Sequence, residues 1–324
     1  RTLQPHTRMS SKLLIAVTGI TGRQGGAVAR ALLQDGTYDV LGVTRDPQSE
    51  RAKTLADQLK IKMVKADMAD EGSLRAAFQG CYGAFLVTDY WASCGMDPLV
   101  ELQHIKNLGN ACKAAGVEHV VFSALEDTRK IVKEDNPLPK LKGLYVPHYD
   151  MKGEGLEWMR AQGIPATGIY TSFFYSNFID FGMGPKRYVP DQPAVITFPL
   201  GTEPFPMNDV EDIGRFAAAV FKDKSTMGKT LGVSSQTMTM EEVAKLFTET
   251  LGIEVRYNMV SRDEYAKLPF PGADDLANMF QLNSDYNKEF CSLRSSEDVK
   301  KYLPRGVPLR NWIMEHKEVL LQRV

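Results

Sequence analysis

Hydrophobic runs alternate with helical patterns over the first half of the chain. Runs short enough for buried strands lie at residues 13–17, 38–44, 61–65, 82–88, 117–123 and 164–170. Between them, apolar residues recur at helical spacing at residues 27–35, 71–78, 98–115 and 146–162. Gly36 and Gly116 follow two of these segments, as C-cap glycines do. Strands that alternate with helices in this way predict an α/β fold with a Rossmann-type, doubly wound parallel sheet.

The pattern changes after Tyr170. An aromatic-rich stretch at residues 172–181 and a proline-containing stretch at 186–201 come first, and helical patterns return at 210–221 and 240–251. We therefore predict a Rossmann domain over residues 11–170 and a smaller mixed α+β C-terminal domain over residues 171–324. A short apolar run near residues 229–234 is expected to return to the first sheet and complete it. Shorter elements are predicted at residues 254–258, 261–268, 274–282, 295–302 and 309–316.

Residues 130–143 differ from the segments around them. They are charged, contain prolines and show no periodic pattern. Loops of this composition lie at the surface and often carry function. We expect a mobile loop near the functional site.

The first strand runs into a glycine-rich turn at residues 17–26, VTGITGRQGG. Gly19, Gly22 and Gly25 stand at G-x-x-G-x-x-G spacing, which permits a tight turn, close approach of a pyrophosphate and packing of helix on strand. Free N–H groups and the positive end of the helix dipole favour an anion there. The spacing thus predicts dinucleotide binding, and the alternative is a glycine turn without a ligand.

Polar side chains follow the second, third and fourth strands. Arg45 ends the second strand, where an arginine accommodates the 2′-phosphate of NADP and an acidic residue would bind the ribose of NAD. Arg45 therefore predicts a preference for NADP(H), although the acidic Asp46 is adjacent. The alternative is that Arg45 is a solvated loop residue without a ligand. Asp67 and Met68 are placed to meet adenine, whereas Asp70 or its neighbours are candidates for the cap of the next helix. Residues 88–91 are expected at the same crevice.

Composition and charge narrow the class of protein. Hydrophobic residues make up 43% and charged residues 24% of the 324 residues, and 39 basic side chains nearly balance 40 acidic ones. This balance gives no electrostatic reason to expect nucleic acid or membrane as a partner. Four cysteines without CxxC or zinc spacing favour reduced thiols in the cytoplasm and no metal site. Residues 1–11 are polar and aperiodic, which favours a flexible or appended lead with Met9 as a candidate start.

The catalytic residues are less clear than the cofactor site. Short-chain dehydrogenases transfer a proton through a tyrosine four residues before a lysine. Here Lys152 has His148 four residues before it and Tyr149 only three before it. Positions three and four residues away differ by about 100° around a helix, so the usual tyrosine is displaced. Ser123, at the end of a strand, resembles the serine of that arrangement but lacks its tyrosine. No catalytic residue is assigned firmly, and Lys152, Tyr149 and His148 are the candidates.

Seven segments together resemble the NmrA-like family of atypical short-chain dehydrogenases, and above all its NADPH-sensing members. The resemblance covers residues 12–316 and rests on TGITGRQGGAVARALL, VTRDP, FLVTDYW, VVFSALE, HYDMKGE, FFYSNF and FPGADDLANMF. It implies NADP(H) binding by a Rossmann domain with a small C-terminal domain. It further implies a redox sensor or regulator, acting through protein partners and without direct contact to nucleic acid.

The resemblance also implies roles for individual residues. The glycine turn would bind the pyrophosphate, Arg45 the 2′-phosphate and Lys152 the nicotinamide ribose. Two departures from the family pattern are Arg23, which replaces a small residue, and Asp89, which replaces an amide. The full set of cofactor-binding residues implied is Gly19, Ile20, Thr21, Gly22, Arg23, Gln24, Arg45, Asp67, Met68, Thr88, Asp89, Tyr90, Lys152, Phe174, Tyr175, Ser176 and Asn177.

The sequence is compatible with two functions. The displaced tyrosine favours a non-enzymatic, NADP(H)-responsive regulator of an unidentified protein partner, located in the cytoplasm and with the nucleus as a further expectation. The alternative is an NADPH-dependent reductase of quinones or of substrates like those of isoflavone reductases. A homodimer is one of the assemblies that the sequence leaves open.

Overall fold

The computed structural model describes residues 12–295 and 297–324, and the predicted lead at residues 1–11 lies outside them. Its strands are β1 (Leu13–Val17), β2 (Tyr38–Thr44), β3 (Lys62–Lys65), β4 (Gly83–Leu86), β5 (His119–Ala124), β6 (Ala166–Tyr170), β7 (Phe173–Phe174), β8 (Ala194–Phe198), β9 (Phe205–Asn208), β10 (Thr230–Gly232), β11 (Gln236–Met238) and β12 (Val255–Met259). Its helices are α1 (Arg23–Asp35), α2 (Glu50–Leu59), α3 (Glu71–Phe78), α4 (Pro98–Ala115), α5 (Pro147–Ala161), α6 (Asn177–Asp180), α7 (Val210–Lys222), α8 (Met240–Leu251), α9 (Arg262–Tyr265), α10 (Ala273–Asp285), α11 (Asn287–Arg294), α12 (Glu297–Tyr302), α13 (Leu309–Glu315) and α14 (Lys317–Leu321).

The main sheet has seven parallel strands in the order β10-β6-β5-β4-β1-β2-β3. The strand order reverses beside β1, which lies between β2 and β4. Ligands of such sheets bind outside the carboxyl ends of the strands at this reversal. The predicted fold class is therefore confirmed, including the return of the chain to the sheet as β10. The domain boundary at residue 170 stays a prediction.

Helices cover both faces of this sheet because its buried strands are apolar on both sides. Along β1, Ile15 and Val17 belong to a cluster with α1 and α7, and Ala16 between them belongs to a cluster with α3, α4 and α5. The helices α1 and α7 also contact each other. In the described ranges, no helix is long and apolar enough to cross a membrane.

The second half of the chain adds two small sheets and its own aromatic core. One sheet has the order β11-β9-β7, with β9 antiparallel to β11 and parallel to β7, and the other pairs β8 with β12 in parallel. Phe280 lies at the centre of this core, with its ring centroid 5.2 Å from Phe198 and 6.2 Å from Phe173. This half is the mixed α+β part that the sequence predicts.

The loop at residues 130–143 is anchored, contrary to expectation. Val132 and Leu138 are buried in the core of the second half. The backbone N–H of Lys133 donates to the hydroxyl of Tyr286 over 2.9 Å, and Asn278 Nδ2 donates to the carbonyl of Pro139 over 2.7 Å. Two buried apolar side chains thus anchor the loop. They were not predicted because the segment has no periodic pattern of apolar residues.

Candidate functional site

A cavity of about 1560 Å³ opens at the carboxyl ends of β1, β2 and β4 and extends towards the second half of the chain. It brings together most residues that the sequence assigns to the cofactor. Those that line it are Gly19, Thr21, Gly22, Arg23, Gln24, Arg45, Asp67, Met68, Thr88, Asp89, Tyr90, Lys152, Phe174 and Asn177. Ser123, His148 and Tyr149 line it as well.

Three predicted residues are not among the lining residues. The side chain of Ile20 is fully buried in the core below the glycine turn. Tyr175 is also fully buried, and its hydroxyl donates to the carbonyl of Val307 over 3.1 Å. Ser176 is buried and precedes α6. All three side chains are buried, and the first two belong to the hydrophobic core; their assignment to the cofactor stays a prediction.

The glycine turn has the geometry of an anion site. The N–H of Gly22 donates to the carbonyl of Gly19 over 2.8 Å, which closes the turn, and Gly19 has a left-handed φ of 57°. A Cβ atom on Gly25 would lie 2.3 Å from the carbonyl oxygen of Gly19, so the helix packs directly on the turn. Gly22 is the N-cap of α1 and offers no side chain to the N–H groups of the first helical turn. Those donors are available to an anionic ligand.

Arg45 and Asp46 have separate roles at the end of β2. Asp46 Oδ1 accepts a hydrogen bond from the N–H of Gln48 over 2.9 Å, and its carbonyl accepts from the hydroxyl of Ser49 over 2.9 Å. The carboxylate therefore stabilises the turn that leads into α2. Arg45 is exposed and lines the cavity, and its guanidinium makes no hydrogen bond or ion pair with residues 12–295 or 297–324. It is thus available for an anionic group.

The end of β3 is compatible with both predicted roles, contact with adenine and capping of the next helix. Asp70 Oδ1 accepts from the N–H of Ser73 over 3.2 Å and caps α3, as one alternative predicted. Asp67 Oδ1 accepts from the N–H of Ala69 over 2.9 Å, and Asp67 remains at the cavity wall. The carbonyl of Met68 accepts from Asn107 Nδ2 over 2.8 Å, which fixes this wall to α4.

Asp89 stabilises the loop after β4. Its carboxylate accepts from the N–H of Ala92 over 3.1 Å and from the hydroxyl of Ser93 over 3.3 Å. The same loop carries Cys94, whose Sγ lies 3.5 Å from His104 Nδ1. Burial raises the pKa of Cys94 to about 12, so this thiol stays protonated at neutral pH and lacks the thiolate character of a redox sensor.

Lys152 forms a buried ion pair that the sequence analysis missed. Its ammonium group donates to Glu101 Oε1, and the same oxygen accepts from the hydroxyl of Thr88 over 2.8 Å. Glu101 is fully buried on α4, and its Oε2 has no hydrogen-bond partner in the described chain. The sequence contained a sign of this buried ion pair, because Glu101 shares a helical face with the apolar Ile105 and Leu108. A carboxylate on such a face requires a partner.

The two candidates beside Lys152 point in different directions. His148 Nδ1 lies 2.8 Å from Asp275 Oδ1 on α10, a partner that the sequence analysis also missed. Tyr149 belongs to the core of the second half, with its ring stacked on Phe290 at a centroid distance of 6.4 Å. Burial raises the pKa of Tyr149 far above its usual range. Both residues share a helical face with Lys152, but the ring of Tyr149 packs into the core of the second half, whereas His148 is fixed by Asp275.

Two contacts tie the glycine turn to more distant segments. Arg23 forms an ion pair with Asp180 of α6, so the residue that departs from the family pattern bridges to the second half. Gln24 Oε1 accepts from the hydroxyl of Ser123 over 2.7 Å. The hydroxyl of Ser123 thus contacts the glycine turn.

Comparisons with known proteins agree on one family. A sequence model of the NmrA-like family matches residues 11–305. The chain is 30% identical over 299 residues to the NmrA-like family domain-containing oxidoreductase lnbB of Aspergillus flavus, which covers 85% of this chain and 84% of that protein.

Solved structures agree on the fold. The crystal structure of NmrA, a negative transcriptional regulator, in complex with NADP has a TM-score of 0.77 at 20% identity, with 95% of this chain and 96% of that chain covered. The Citrobacter triphenylmethane reductase in complex with NADP(H) has a TM-score of 0.72 at 22% identity, with 96% and 100% covered. The family model and the curated relative carry the assignment: the chain belongs to the NmrA-like family.

Proposed function

We propose that the protein is an NADP(H)-dependent oxidoreductase that reduces a second, largely apolar molecule in the same cavity. The observation that carries this proposal is the extent of the cavity, which runs from the glycine turn past Lys152 to an aromatic wall in the second half. Pockets for one ligand measure about 300–1,000 Å³. At about 1560 Å³, this cavity has room for a dinucleotide and a substrate. The name of the Aspergillus relative supports the same class of activity.

The residues present fit NADP(H). The uncapped N–H groups that follow Gly22 and the close packing at Gly25 suit a pyrophosphate. Arg45 is unpaired within the described residues and suits a 2′-phosphate, because a guanidinium binds phosphate through two parallel hydrogen bonds. The cofactor, when bound, supplies the hydride.

The Lys152–Glu101 pair fixes an ammonium group at the cavity wall. Because Glu101 is fully buried, its carboxylate holds the ammonium group of Lys152 in one position. The hydroxyl of Thr88 fixes the same oxygen of Glu101, which orients the pair further. An ammonium group placed in this way can bind ribose hydroxyl groups, the role that the family resemblance implies for Lys152. The pair thus positions the cofactor, and it does not itself donate a proton to the substrate.

The wall beyond Lys152 indicates the class of substrate. Trp91, Leu268 and Phe270 line it with large apolar and aromatic surfaces, and the buried Met279 and Phe280 lie behind them. Such surfaces exclude water and favour an unsaturated, uncharged molecule. Quinones and aromatic carbonyl compounds have these properties, and hydride addition reduces both.

We expect the purified protein to oxidise NADPH in the presence of an acceptor from this class. The probes are menadione, phenanthrenequinone and para-nitrobenzaldehyde, and the loss of NADPH absorbance gives the rate. A kcat of about 1 s⁻¹ or more, at the lower end of the usual range for enzymes, is the expected result with at least one probe. Reactions without protein or without acceptor are the controls. Binding of NADPH with no oxidation above these controls would refute the oxidoreductase proposal.

A regulatory role is the second candidate, and one contact favours it. The ion pair between Arg23 and Asp180 joins the glycine turn to α6, so a cofactor that occupies the turn acts on both halves of the cavity. A ligand that binds the closed arrangement a hundredfold better shifts the equilibrium by about 2.7 kcal/mol at saturation. That shift is enough to expose or cover a surface for a protein partner or a second copy of the chain.

Hydrogen exchange tests this second candidate. We expect NADPH to slow amide exchange at residues 173–181 as well as in the glycine turn, because both regions contribute to the cavity wall. Light scattering on the same samples reports any change in oligomeric mass. Protection restricted to the glycine turn and Arg45, with an unchanged mass, would leave the regulatory role without a mechanism.

A further inference from the structure

His148 and Asp275 form a buried pair between α5 and α10. Their side chains meet through His148 Nδ1 and Asp275 Oδ1 at 2.8 Å, and the residues are only 7% and 4% exposed. Asp275 Oδ2 has no hydrogen-bond partner among the described residues. Burying a carboxylate in this way is costly unless the pair has good geometry. His148 lines the cavity and Asp275 lies behind it, so the pair is a candidate for a functional role.

The imidazole ring is held in one orientation. Its centroid lies 4.9 Å from Trp91 and 5.9 Å from Tyr90, and Asp275 fixes the Nδ1 side. A carboxylate at Nδ1 favours the tautomer with a proton on that nitrogen and fixes the direction of the ring. Nε2 makes no hydrogen bond with the described part of the chain, and His148 lines the cavity. The free nitrogen is thus the one available to a ligand.

The two tyrosines whose rings contact His148 are poorly placed to donate a proton. Tyr90 donates its hydroxyl proton to the carbonyl of Met96 over 3.0 Å, and burial raises the pKa of Tyr90 far above its usual range. Tyr149 packs into the core of the second half. His148 lies one helical turn before Lys152 and on the same face. It therefore takes the position that a tyrosine has in ordinary short-chain dehydrogenases.

We propose that His148, oriented by Asp275, donates the proton in the reduction of a carbonyl or quinone oxygen in this cavity. The inference rests on the proposed oxidoreductase function. A hydride from NADPH adds to the carbonyl carbon, and the electron pair of the C=O π bond moves to oxygen. That oxygen takes the proton from Nε2 of the imidazolium. With a carbonyl substrate the products are an alcohol, NADP⁺ and neutral His148, which regains a proton from water. With a quinone the hydride adds to one oxygen, the ring becomes aromatic, and the second oxygen takes the proton from Nε2, which gives the hydroquinone.

The test compares kcat with KM in matched variants, with NADPH and para-nitrobenzaldehyde, or another active probe if the aldehyde is not turned over. His148→Gln is expected to lower kcat by about 10²- to 10⁴-fold, the usual contribution of a positioned acid. KM for the acceptor and the Kd of NADPH are expected to stay within about threefold, because proton donation acts in the transition state. Asp275→Asn is expected to lower kcat by at least about tenfold through loss of the orienting carboxylate.

His316→Gln is the matched control. His316 likewise makes its contact through Nδ1, to the carbonyl of Trp312 over 2.8 Å, but it is not a lining residue of the cavity. Its kcat is expected to equal that of the wild type. An unchanged Kd of NADPH shows that each variant is folded, and Asp275→Asn carries the test if His148→Gln is unstable.

Each outcome has a distinct meaning. A wild type that binds NADPH but reduces no probe overturns the oxidoreductase function and the proton donor with it. A wild type that turns over while His148→Gln keeps its kcat overturns only the proton donor. If Tyr149→Phe loses kcat and His148→Gln does not, the tyrosine is the acid and the proposal is wrong.

Discussion

Replacing Arg45 with aspartate is expected to abolish the predicted preference of the protein for NADPH over NADH. The guanidinium lies at the end of β2 without a partner in the described chain, so a 2′-phosphate would gain charge-assisted hydrogen bonds there. Loss of these bonds costs about 1.5–3 kcal/mol, which weakens NADPH binding by about 10- to 150-fold. Affinity for NADH should stay the same or rise, because an acidic residue there binds ribose hydroxyl groups. Calorimetric titration with both cofactors measures the change.

Arg51→Asp is the matched control for Arg45→Asp. Arg51 lies on α2, is exposed and is not a lining residue of the cavity, so its replacement changes the net charge equally without touching the site. Its effect on NADPH affinity should be small and should decline with added salt. Equal affinities of the wild type for the two cofactors, or an equal loss in both variants, would show that Arg45 does not select the 2′-phosphate.

Most of the first half of the fold could be predicted because its elements have strong local signals, although the helix α2 was not predicted. The strand at residues 38–44 and the helices at 71–78 and 98–115 have the bounds that the sequence predicts. Strands of a parallel sheet with both faces covered are continuous apolar runs. The side chain of Asp70 caps the start of α3, and Gly116, in the left-handed conformation, caps the end of α4. Here local preference and tertiary structure agree.

The second half was harder to predict because its elements are short and depend on contacts distant in sequence. The strand β7 has only two residues, and it exists because Phe173 and Phe174 pair with β9. The helix α11 was not predicted, and it ends at Arg294, a fully buried side chain that pairs with Glu126. Neither feature has a periodic pattern in the sequence.

The candidate site was predictable where its backbone determines it and not where its side chains pair. The glycine spacing and the end of β2 indicate phosphate sites because the turn itself provides the donors. Glu101 is 51 residues from Lys152, and Asp275 is 127 residues from His148. Such pairs become visible only when the helices pack. The sequence did not decide whether His148 or Tyr149 acts beside Lys152. The contact of His148 with Asp275 on α10 distinguishes the two residues.

Gly25→Ala is expected to have the largest effect on cofactor binding. The added Cβ would lie 2.3 Å from the carbonyl oxygen of Gly19 and 2.8 Å from that of Thr18. Both neighbours are backbone atoms, so they cannot move away as a side chain would, and α1 must shift from the turn. Overpacking of this kind costs about 1–3 kcal/mol of stability and sometimes more. Because the shift also moves the N–H groups, we expect NADPH affinity to fall about a hundredfold or more.

Gly26→Ala separates this clash from the general effect of a new methyl group. One residue further along the same helix, its Cβ would lie 3.4 Å from the flexible end of Arg30 and 3.5 Å from the carbonyl oxygen of Ile20, both ordinary contacts. Alanine favours the helix over glycine by about 0.5–1 kcal/mol, so this variant should be as stable as the wild type or more so. Thermal unfolding and NADPH titration on both variants give the comparison. If both bind NADPH as the wild type does, the close packing of α1 on the glycine turn is not what creates the pyrophosphate site.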